Sequence, residues 1–313
     1  MNDIPLWSRT RNGVGLSDIP VREGGRPPDF CIIGAAKTAT TTICGLLEQH
    51  PGIFVNPVKE PHFYATDQVY ARGAQWNRGF YAEARDDQIC GEASTSYTCF
   101  PLVHDVPDRM AADNPAMKLI YCVREPVARA KSQCLQVMKY VRNVLDIDLT
   151  QMSLDEILDE TESNAALRAG ILAGCDYDAQ LAEFERCFPP KQILIVFYED
   201  FCADTPTFMA QLFDYLGVPG IDLEATRLNA TSDFLDRVAT QKGLQRVRKI
   251  PFYNQLKGLL SGSARAGLKR RLAQGERVTY DFSAARKQEL REQFSGPNSR
   301  LRQRTGRDLT SWS

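Results

Sequence analysis

One segment near the amino terminus combines small residues, a lysine and hydroxyl side chains, which together are suited to binding a phosphate or sulfate group. It follows an apolar run over residues 29–34 and precedes a helix-like pattern over 40–49. The turn from a strand into a helix presents free backbone N–H groups to an anion, and small residues allow the anion to approach them closely. The lysine adds positive charge, and the threonines add hydroxyl donors and a helix cap. The residues concerned are Gly34, Ala35, Ala36, Lys37, Thr38, Ala39, Thr40 and Thr41.

A carboxylate and a histidine suited to proton transfer lie in the segment Lys-Glu-Pro-His-Phe-Tyr at residues 59–64. Glu60 could take a proton from an attacking group while Lys37 neutralises the charge that develops on a leaving phosphate. His62 is the alternative base, although a hydrogen-bonding role in support of Glu60 is favoured. Lys59 could tune Glu60 or contact a bound anion. Glu60 and His62 are therefore the two candidates for proton transfer in this segment.

A second candidate anion site involves Arg124 and Ser132. A strand-like apolar run over 117–123 ends in Arg124, and Glu-Pro at 125–126 opens a helix-like pattern that contains Ser132. In open α/β sheets, ligands bind beyond the carboxyl ends of the strands, where Arg124 is expected. A guanidinium group is suited to phosphate because it donates two parallel hydrogen bonds, and Ser132 is expected about two turns into the helix.

Together these segments resemble PAPS-dependent sulfotransferases, in particular the heparan-sulfate-type and bacterial members, over roughly residues 29–312. Residues 34–42 resemble the 5'-phosphosulfate loop, whose usual form is Lys, any residue, Gly and two hydroxyl residues. Ala39 takes the place of the Gly, so we expect an ordinary backbone conformation there. The resemblance implies that this loop holds the 5' end of 3'-phosphoadenosine-5'-phosphosulfate (PAPS) and that Arg124 and Ser132 bind its 3'-phosphate.

The same resemblance implies roles for the residues around the acid–base candidates. Residues 59–64 resemble the Lys-Glu-x-His-Phe-Phe segment of the heparan-sulfate-type group, in which the Glu is the proposed base, so Glu60 is nominated. Residues 91–97 are similar to a Gly-Glu-x-[Ser/Thr]-Pro-x-Tyr segment of that group, except that Thr95 stands where Pro is usual. Acceptor-side roles are implied for Lys59, Glu92 and Tyr97.

A long stretch over residues 237–275 carries only basic residues among its charged side chains. Within it, Arg248 and Lys249 lie where the family has a basic loop over the donor, and the resemblance implies a donor contact for them. Two other interpretations stay open, a solvated basic face and contact with an anionic acceptor.

The resemblance implies an enzyme that transfers a sulfonate group from PAPS to a hydroxyl or amine and releases PAP, with a carbohydrate or glycosylated small molecule as the acceptor. A P-loop nucleotide kinase or NTPase is one alternative, but the G-x-x-x-x-G-K-[ST] pattern is not matched, and Arg124 stands where an acid is wanted. A non-catalytic PAP-binding protein is the other alternative, and the presence of Glu60 beside the donor site argues against it.

The surrounding elements predict the scaffold that positions these residues. Strand-like runs over 29–34, 53–55, 88–91, 117–123 and 192–198 alternate with helix-like patterns over 40–49, 125–139, 154–169, 177–187 and 205–216. This alternation predicts an α/β fold with three layers, a P-loop-like arrangement in which a central, mostly parallel sheet is flanked by helices. Residues 1–28 are predicted to be a flexible amino-terminal extension, and residues 29–313 a single domain.

The bulk composition excludes several partners. A formal net charge of -1 gives no signal for nucleic acid, and no apolar run reaches the roughly 18 residues that a membrane span needs. The nine cysteines include no C-x-x-C pair, so no zinc site is expected, and their usage together with the lack of an anchor favours a bacterial cytoplasmic enzyme. Asp146 and Asp148 lack the context of a metal motif, so the prediction is a site without metal.

Overall fold

The computed structural model of the chain describes residues 15–145, 149, 151–160, 164–223 and 280–312. The described residues form one five-stranded sheet in the order β2-β3-β1-β4-β5, and every pair of neighbouring strands is parallel. All five predicted strands are present. Their bounds are Phe30–Gly34 (β1), Ile53–Val55 (β2), Ile89–Ala93 (β3), Lys118–Val123 (β4) and Ile193–Phe197 (β5).

Helices connect the strands, as a parallel sheet requires. The helix predicted over 154–169 is instead two helices, the first ending at Asp159 and the second beginning at Ala165. The helices are Thr40–Leu47 (α1), Asp67–Tyr70 (α2), Ala74–Arg78 (α3), Val106–Asp113 (α4), Pro126–Leu145 (α5), Leu154–Asp159 (α6), Ala165–Ile171 (α7), Tyr177–Glu185 (α8), Tyr198–Ala203 (α9), Thr205–Leu216 (α10) and Ala284–Thr305 (α11). Short 3-10 helices cover Leu16–Asp18, Gly79–Tyr81, Thr95–Thr98, Ala173–Cys175, Pro190–Gln192 and Thr310–Trp312.

The sheet is buried on both faces, which explains why its strands are mostly apolar and do not alternate with polar residues. Along β1, Cys31 and Ile33 pack into one hydrophobic cluster while Phe30 and Ile32 pack into another. The first cluster contains aromatic residues such as Phe63, Trp76, Tyr177 and Trp312, and the second contains apolar residues of α1 and α10. The predicted three-layer α/β arrangement is therefore confirmed.

The register of the parallel strands brings the candidate segments to one edge of the sheet. Ile32 of β1 is level with Ala93 of β3 and with Ile120 of β4. The carboxyl ends of these three strands therefore lie side by side, and the segments that follow them begin at the same edge. These segments carry the loop with Lys37, the residues after Ala93, and Arg124.

Contacts divide the chain into two compact units, and the prediction of a single domain over 29–313 stays a prediction. One unit comprises Met1–Gln133, Leu158–Thr226 and Ala284–Ser313, and it contains the whole described sheet. The other comprises Cys134–Ile157 and Arg227–Ser283, and its described part includes the last turns of α5 and the start of α6.

Part of the predicted amino-terminal extension is packed within the first unit. Leu16 is buried in the aromatic cluster. The carbonyl of Ile19 accepts hydrogen bonds from Nη2 of Arg72 at 2.7 Å and from Nε1 of Trp76 at 3.0 Å. Residues 1–14 lie outside the described part of the chain, and for them a flexible extension stays a prediction.

Candidate active site

The loop between β1 and α1 is fixed in shape by hydrogen bonds to the neighbouring strand and within itself. The N–H of Ala35 donates to the carbonyl of Cys122 in β4 at 2.8 Å. The hydroxyl of Thr38 is buried and donates a hydrogen bond to the carbonyl of Ala35 at 2.7 Å. Thr38 was predicted to contact PAPS, but in this structure its hydroxyl stabilises the loop itself. Gly34 is required here, since its φ is 152° and a Cβ would lie 2.1 Å from Oγ1 of Thr98.

Ala39 is in the left-handed conformation, with φ 62° and ψ 18°, immediately before α1. The expectation of an ordinary backbone conformation at this position was therefore wrong. The conformation is set by the turn between β1 and α1, after which the carbonyl of Ala39 accepts from both Thr42 and Ile43. Helix geometry then leaves the N–H groups of Thr40 and Thr41 without an intrahelical acceptor, which is the anion-binding arrangement expected from the sequence.

Arg124 contacts the loop directly, so the two predicted anion-binding segments lie together. Its Nη1 donates to the carbonyl of Lys37 at 3.1 Å. The guanidinium also lies over the ring of Tyr198, 4.2 Å from the ring centre. The hydroxyl of Tyr177 donates to the carbonyl of Arg124 at 2.6 Å, which holds the strand end in place. These contacts orient the guanidinium at the carboxyl edge of the sheet.

Ser132 lies on α5, whose start is capped by the preceding acid. The carboxylate of Glu125 accepts hydrogen bonds from the N–H of Val127 at 2.9 Å and of Ala128 at 2.5 Å, which satisfies donors that the first turn of a helix leaves free. Ser132 follows in the second turn and is partly buried. Its role toward a 3'-phosphate stays a prediction.

The carboxylate of Glu60 is held by one residue of the segment that follows β3. Both the N–H and the hydroxyl of Thr95 donate to Oε2 of Glu60, each at 3.0 Å. The side chain of Glu60 is 22% exposed, so it faces solvent in part. A partly exposed, oriented carboxylate is what a general base requires.

His62 is buried and is better placed to support the segment than to accept a proton from a substrate. Its Nδ1 lies 2.7 Å from the hydroxyl of Ser96. Its Nε2 lies 3.9 Å from Oε2 of Glu60, which is too far for a hydrogen bond. Burial lowers the pKa of His62, an effect that the nearby Glu60 opposes and Lys59 reinforces. The geometry therefore favours Glu60 over His62 as the base.

Glu92 and Tyr97 are buried inside the molecule. Glu92 is 1% exposed, and its two oxygens accept from the hydroxyls of Tyr97 at 2.8 Å and Ser94 at 2.9 Å. Burial raises the pKa of Glu92 to about 7, although the hydrogen bonds from Tyr97 and Ser94 act in the opposite direction. The acceptor-side roles of both residues stay predictions. In this structure the two side chains form a buried hydrogen bond with each other.

Lys59, the first residue of the segment 59–64, extends its side chain toward α1. Its Nζ is 3.8 Å from Sγ of Cys44 on α1. This contact brings a positive charge close to α1, and the charge of Lys59 also acts on His62 and Glu92. Its tuning of Glu60, its contact with a bound anion and its acceptor-side role all stay predictions.

Several predicted residues are outside the part of the chain that the structure describes, namely Arg248, Lys249, Asp146 and Asp148. Within the described ranges, no group of three or more His, Cys, Asp or Glu side chains is arranged to hold a metal ion. No helix in those same ranges is long and apolar enough to cross a membrane.

Sequence reasoning did not identify the residues that position the candidate site. Ser94, Thr95 and Ser96 all contact the segment 60–62, and Tyr177 holds Arg124. The signal for the first three was present in the sequence, since three consecutive hydroxyl residues follow a buried strand. A tyrosine far along the chain gives no such local signal.

The comparisons with known proteins agree with this fold and these segments. The sulfotransferase domain family matches residues 27–257, and the chain therefore belongs to the sulfotransferase family, as its motifs predicted. In the solved structures, a sulfotransferase from Alicyclobacillus acidocaldarius superposes with a TM-score of 0.62 at 21% identity, covering 91% of this chain and 98% of that one. At this identity the likeness shows the fold.

The curated relatives include heparan sulfate glucosamine 3-O-sulfotransferase 3B1 from Homo sapiens, which is 31% identical over 195 residues. That match covers 62% of this chain and 47% of the relative. Heparan sulfate glucosamine 3-O-sulfotransferase 5 from Mus musculus is 31% identical over 172 residues, covering 54% of this chain and 47% of the relative. The chain thus spans about half the length of these relatives.

Proposed function

We propose that this chain transfers a sulfonate group from PAPS to a hydroxyl or amine of an acceptor and releases PAP. The observation that carries the proposal is the hydrogen bond from Arg124 to the carbonyl of Lys37. It joins the end of β4 to the loop after β1, so that two segments suited to phosphate lie together at one edge of the sheet. A donor with phosphate groups at its 5' and 3' positions needs two such anion sites near each other.

The residues present fit such a donor. The loop offers the N–H groups of Thr40 and Thr41 to the 5' end, with the charge of Lys37 beside them. Arg124 and Ser132 take the 3'-phosphate. The left-handed Ala39 keeps the loop open toward an anion, because it turns the chain sharply into α1.

Glu60 performs the proton transfer in this proposal. It removes the proton from the acceptor hydroxyl as the acceptor oxygen forms its bond to sulfur. The bond between sulfur and the bridging phosphate oxygen breaks in the same displacement, and the electron pair leaves with PAP. Lys37 stabilises the negative charge that builds on that phosphate, so the step balances without a metal or an oxidant.

A carbohydrate is the acceptor class we propose. The support is the match to relatives named as heparan sulfate glucosamine sulfotransferases, together with the Lys-Glu-Pro-His-Phe segment that carries Glu60. A glycosylated small molecule is the alternative acceptor, because its sugar carries the same kind of hydroxyl group. The cytoplasmic location and bacterial source, expected from cysteine usage together with the lack of an anchor, stay predictions.

Calorimetric titration with PAP, beside ATP with Mg²⁺, tests the donor. We expect PAP to bind, ATP with Mg²⁺ to bind weakly, and Arg124→Ala to lose PAP binding. Arg85→Ala is the matched control, because Arg85 is exposed and pairs with Asp87 away from the sheet edge; it should bind PAP as the unaltered protein does. Preference for ATP with Mg²⁺ would overturn the proposal in favour of a nucleotide kinase.

A further inference from the structure

Three consecutive hydroxyl residues after β3 each hold a different atom of the segment 60–62. The hydroxyl of Ser94 accepts from the N–H of His62 at 3.1 Å, and the hydroxyl of Ser96 lies 2.7 Å from Nδ1 of the same residue. Thr95, between them, contacts only the carboxylate of Glu60 in this segment. Thr95 therefore holds the candidate base Glu60, whereas Ser94 and Ser96 hold His62.

The two hydrogen bonds from Thr95 go to the same oxygen of Glu60. The N–H and Oγ1 each lie 3.0 Å from Oε2. Among the residues that the structure describes, Oε1 of Glu60 has no hydrogen-bond partner. The carboxylate is therefore fixed through one oxygen, while the other is left for a substrate.

Neither contact could be made by the residue that is usual at this position of the segment. Proline has no backbone N–H and no hydroxyl group. The pair of bonds therefore depends on Thr95 standing where proline is usual in the family that this segment resembles. Hydrogen bonds to an ionised carboxylate are the stronger kind, and two of them from one residue fix the orientation of the group.

We propose that Thr95 is a positioning residue that holds Oε2 of Glu60, so that Oε1 receives the proton of the acceptor. The inference rests on the proposed function, in which Glu60 is the base. Holding one oxygen removes the rotation of the carboxylate about its last bond, and it sets the distance from Oε1 to the acceptor before the acceptor binds. Pre-orientation of this kind raises the rate of the chemical step without changing donor affinity.

The test compares Thr95→Val, Thr95→Ser and Glu60→Gln in the full chain. Thr95→Val removes the hydroxyl at nearly constant volume, and Thr95→Ser keeps it. The measured quantity is PAP released from PAPS, with heparan sulfate as the acceptor and in buffer alone, where water accepts the sulfonate. We expect Thr95→Val to lower kcat about tenfold with KM for PAPS and PAP affinity unchanged, because one hydrogen bond to a charged group is lost. Thr95→Ser should restore kcat to within about twofold of the unaltered protein.

A double variant shows whether Thr95 acts through Glu60. In the Glu60→Gln background, Thr95→Val should have no further effect, since the carboxylate it positions is gone. Thr66→Val is the matched control, because the hydroxyl of Thr66 is buried without a hydrogen-bond partner among the described residues, and it should leave kcat unchanged.

Four outcomes would overturn the inference. Wild-type kcat in Thr95→Val would show that the contacts do not matter for catalysis. An equal fall of kcat in the Glu60→Gln background, or a parallel loss of PAP affinity, would show that Thr95 acts on the fold or the donor. If PAP binds but Glu60→Gln transfers at the normal rate, the assignment of Glu60 fails and takes this inference with it. The donor site, which is tested by PAP binding to the unaltered protein and to Arg124→Ala, would survive each of these outcomes.

Discussion

Arg124, at the end of β4, donates a hydrogen bond to the backbone carbonyl of Lys37 at 3.1 Å and thereby joins the two anion-binding segments. Within the described part of the chain, the guanidinium makes no other hydrogen bond, and the ring of Tyr198 lies against its face. Arg124 thus contacts the loop after β1, and its charge toward a donor is part of the proposed function.

The shape of the guanidinium should matter as well as its charge. In Arg124→Lys the ammonium group keeps the positive charge but cannot hold the carbonyl of Lys37 and a phosphate in one plane. We expect PAP affinity to fall about tenfold or more, which corresponds to the loss of one charge-assisted hydrogen bond. Calorimetric titration with PAP measures this. Equal affinity of Arg124→Lys and the unaltered protein would show that only charge is required.

Ionisation of the buried Glu92 should make the folded state less stable at higher pH. Burial raises the pKa of Glu92 from 4.5 to about 7, so the folded chain holds this proton to a higher pH than the unfolded chain does. The loss of folding stability is absent below the pKa that Glu92 has in the unfolded chain. It grows as the pH rises and is complete above about pH 7. It amounts to about 3 kcal/mol, since each pKa unit corresponds to about 1.4 kcal/mol.

Glu92→Gln removes this titration while keeping a hydrogen-bonding group of the same shape. We expect the free energy of unfolding of Glu92→Gln, relative to the unaltered protein, to increase between about pH 5 and pH 8 by up to about 3 kcal/mol. Urea unfolding at the two pH values measures it. A difference that does not change with pH would contradict the assignment of the proton to Glu92.

The left-handed conformation of Ala39 should make glycine the more stable residue there. An L-residue with a side chain pays about 1 kcal/mol for this conformation, whereas glycine adopts it readily. We therefore expect Ala39→Gly to raise the free energy of unfolding by about 0.5–1 kcal/mol. The matched control is Ala112→Gly, at an exposed position within α4, where the same change should lower it by about 1 kcal/mol. If Ala39→Gly and Ala112→Gly change the free energy of unfolding in the same direction, the conformation of Ala39 does not determine the effect of glycine there.

The strands and the loop could be predicted because their signals are local. Apolar runs such as 117–123 are typical of strands buried on both faces, and the small residues with a lysine after β1 indicate an anion site through their types and order alone. The conformation of Ala39 could not be predicted from its type, since alanine rarely adopts a positive φ. There the tertiary turn, which starts α1, overrides the preference of the residue.

The carboxyl-terminal helix α11 gave no clear signal in the sequence. It contains Gly296 and Pro297, which normally indicate the end of a helix, and most of its residues are polar. Its position depends on distant partners, because Arg300 and Arg304 pair with Asp178 of α8. Contacts between residues more than one hundred positions apart have no local pattern from which they could be predicted.

Glu60 stays a prediction as the base, and the sequence alone did not separate it from His62. The segment 59–64 indicated Glu60 and His62 together, and a choice between them needed the burial of His62 and the two bonds from Thr95. The resemblance implied an acceptor-side role for Glu92, but its carboxylate is buried and bonded to Tyr97 and Ser94. Whether an acid near the end of a strand faces solvent depends on packing, which its sequence position does not determine.

The rate of sulfonate transfer from PAPS by Glu60→Gln, set against its affinity for PAP, tests the central claim most directly. Glutamine keeps the size of the side chain and loses the ability to accept a proton. We expect transfer to heparan sulfate to fall by about 10²–10⁴, the usual contribution of a general base, while PAP binds as tightly as to the unaltered protein. Transfer at the unaltered rate by Glu60→Gln with PAP bound would contradict the assignment of the base and the mechanism built on it.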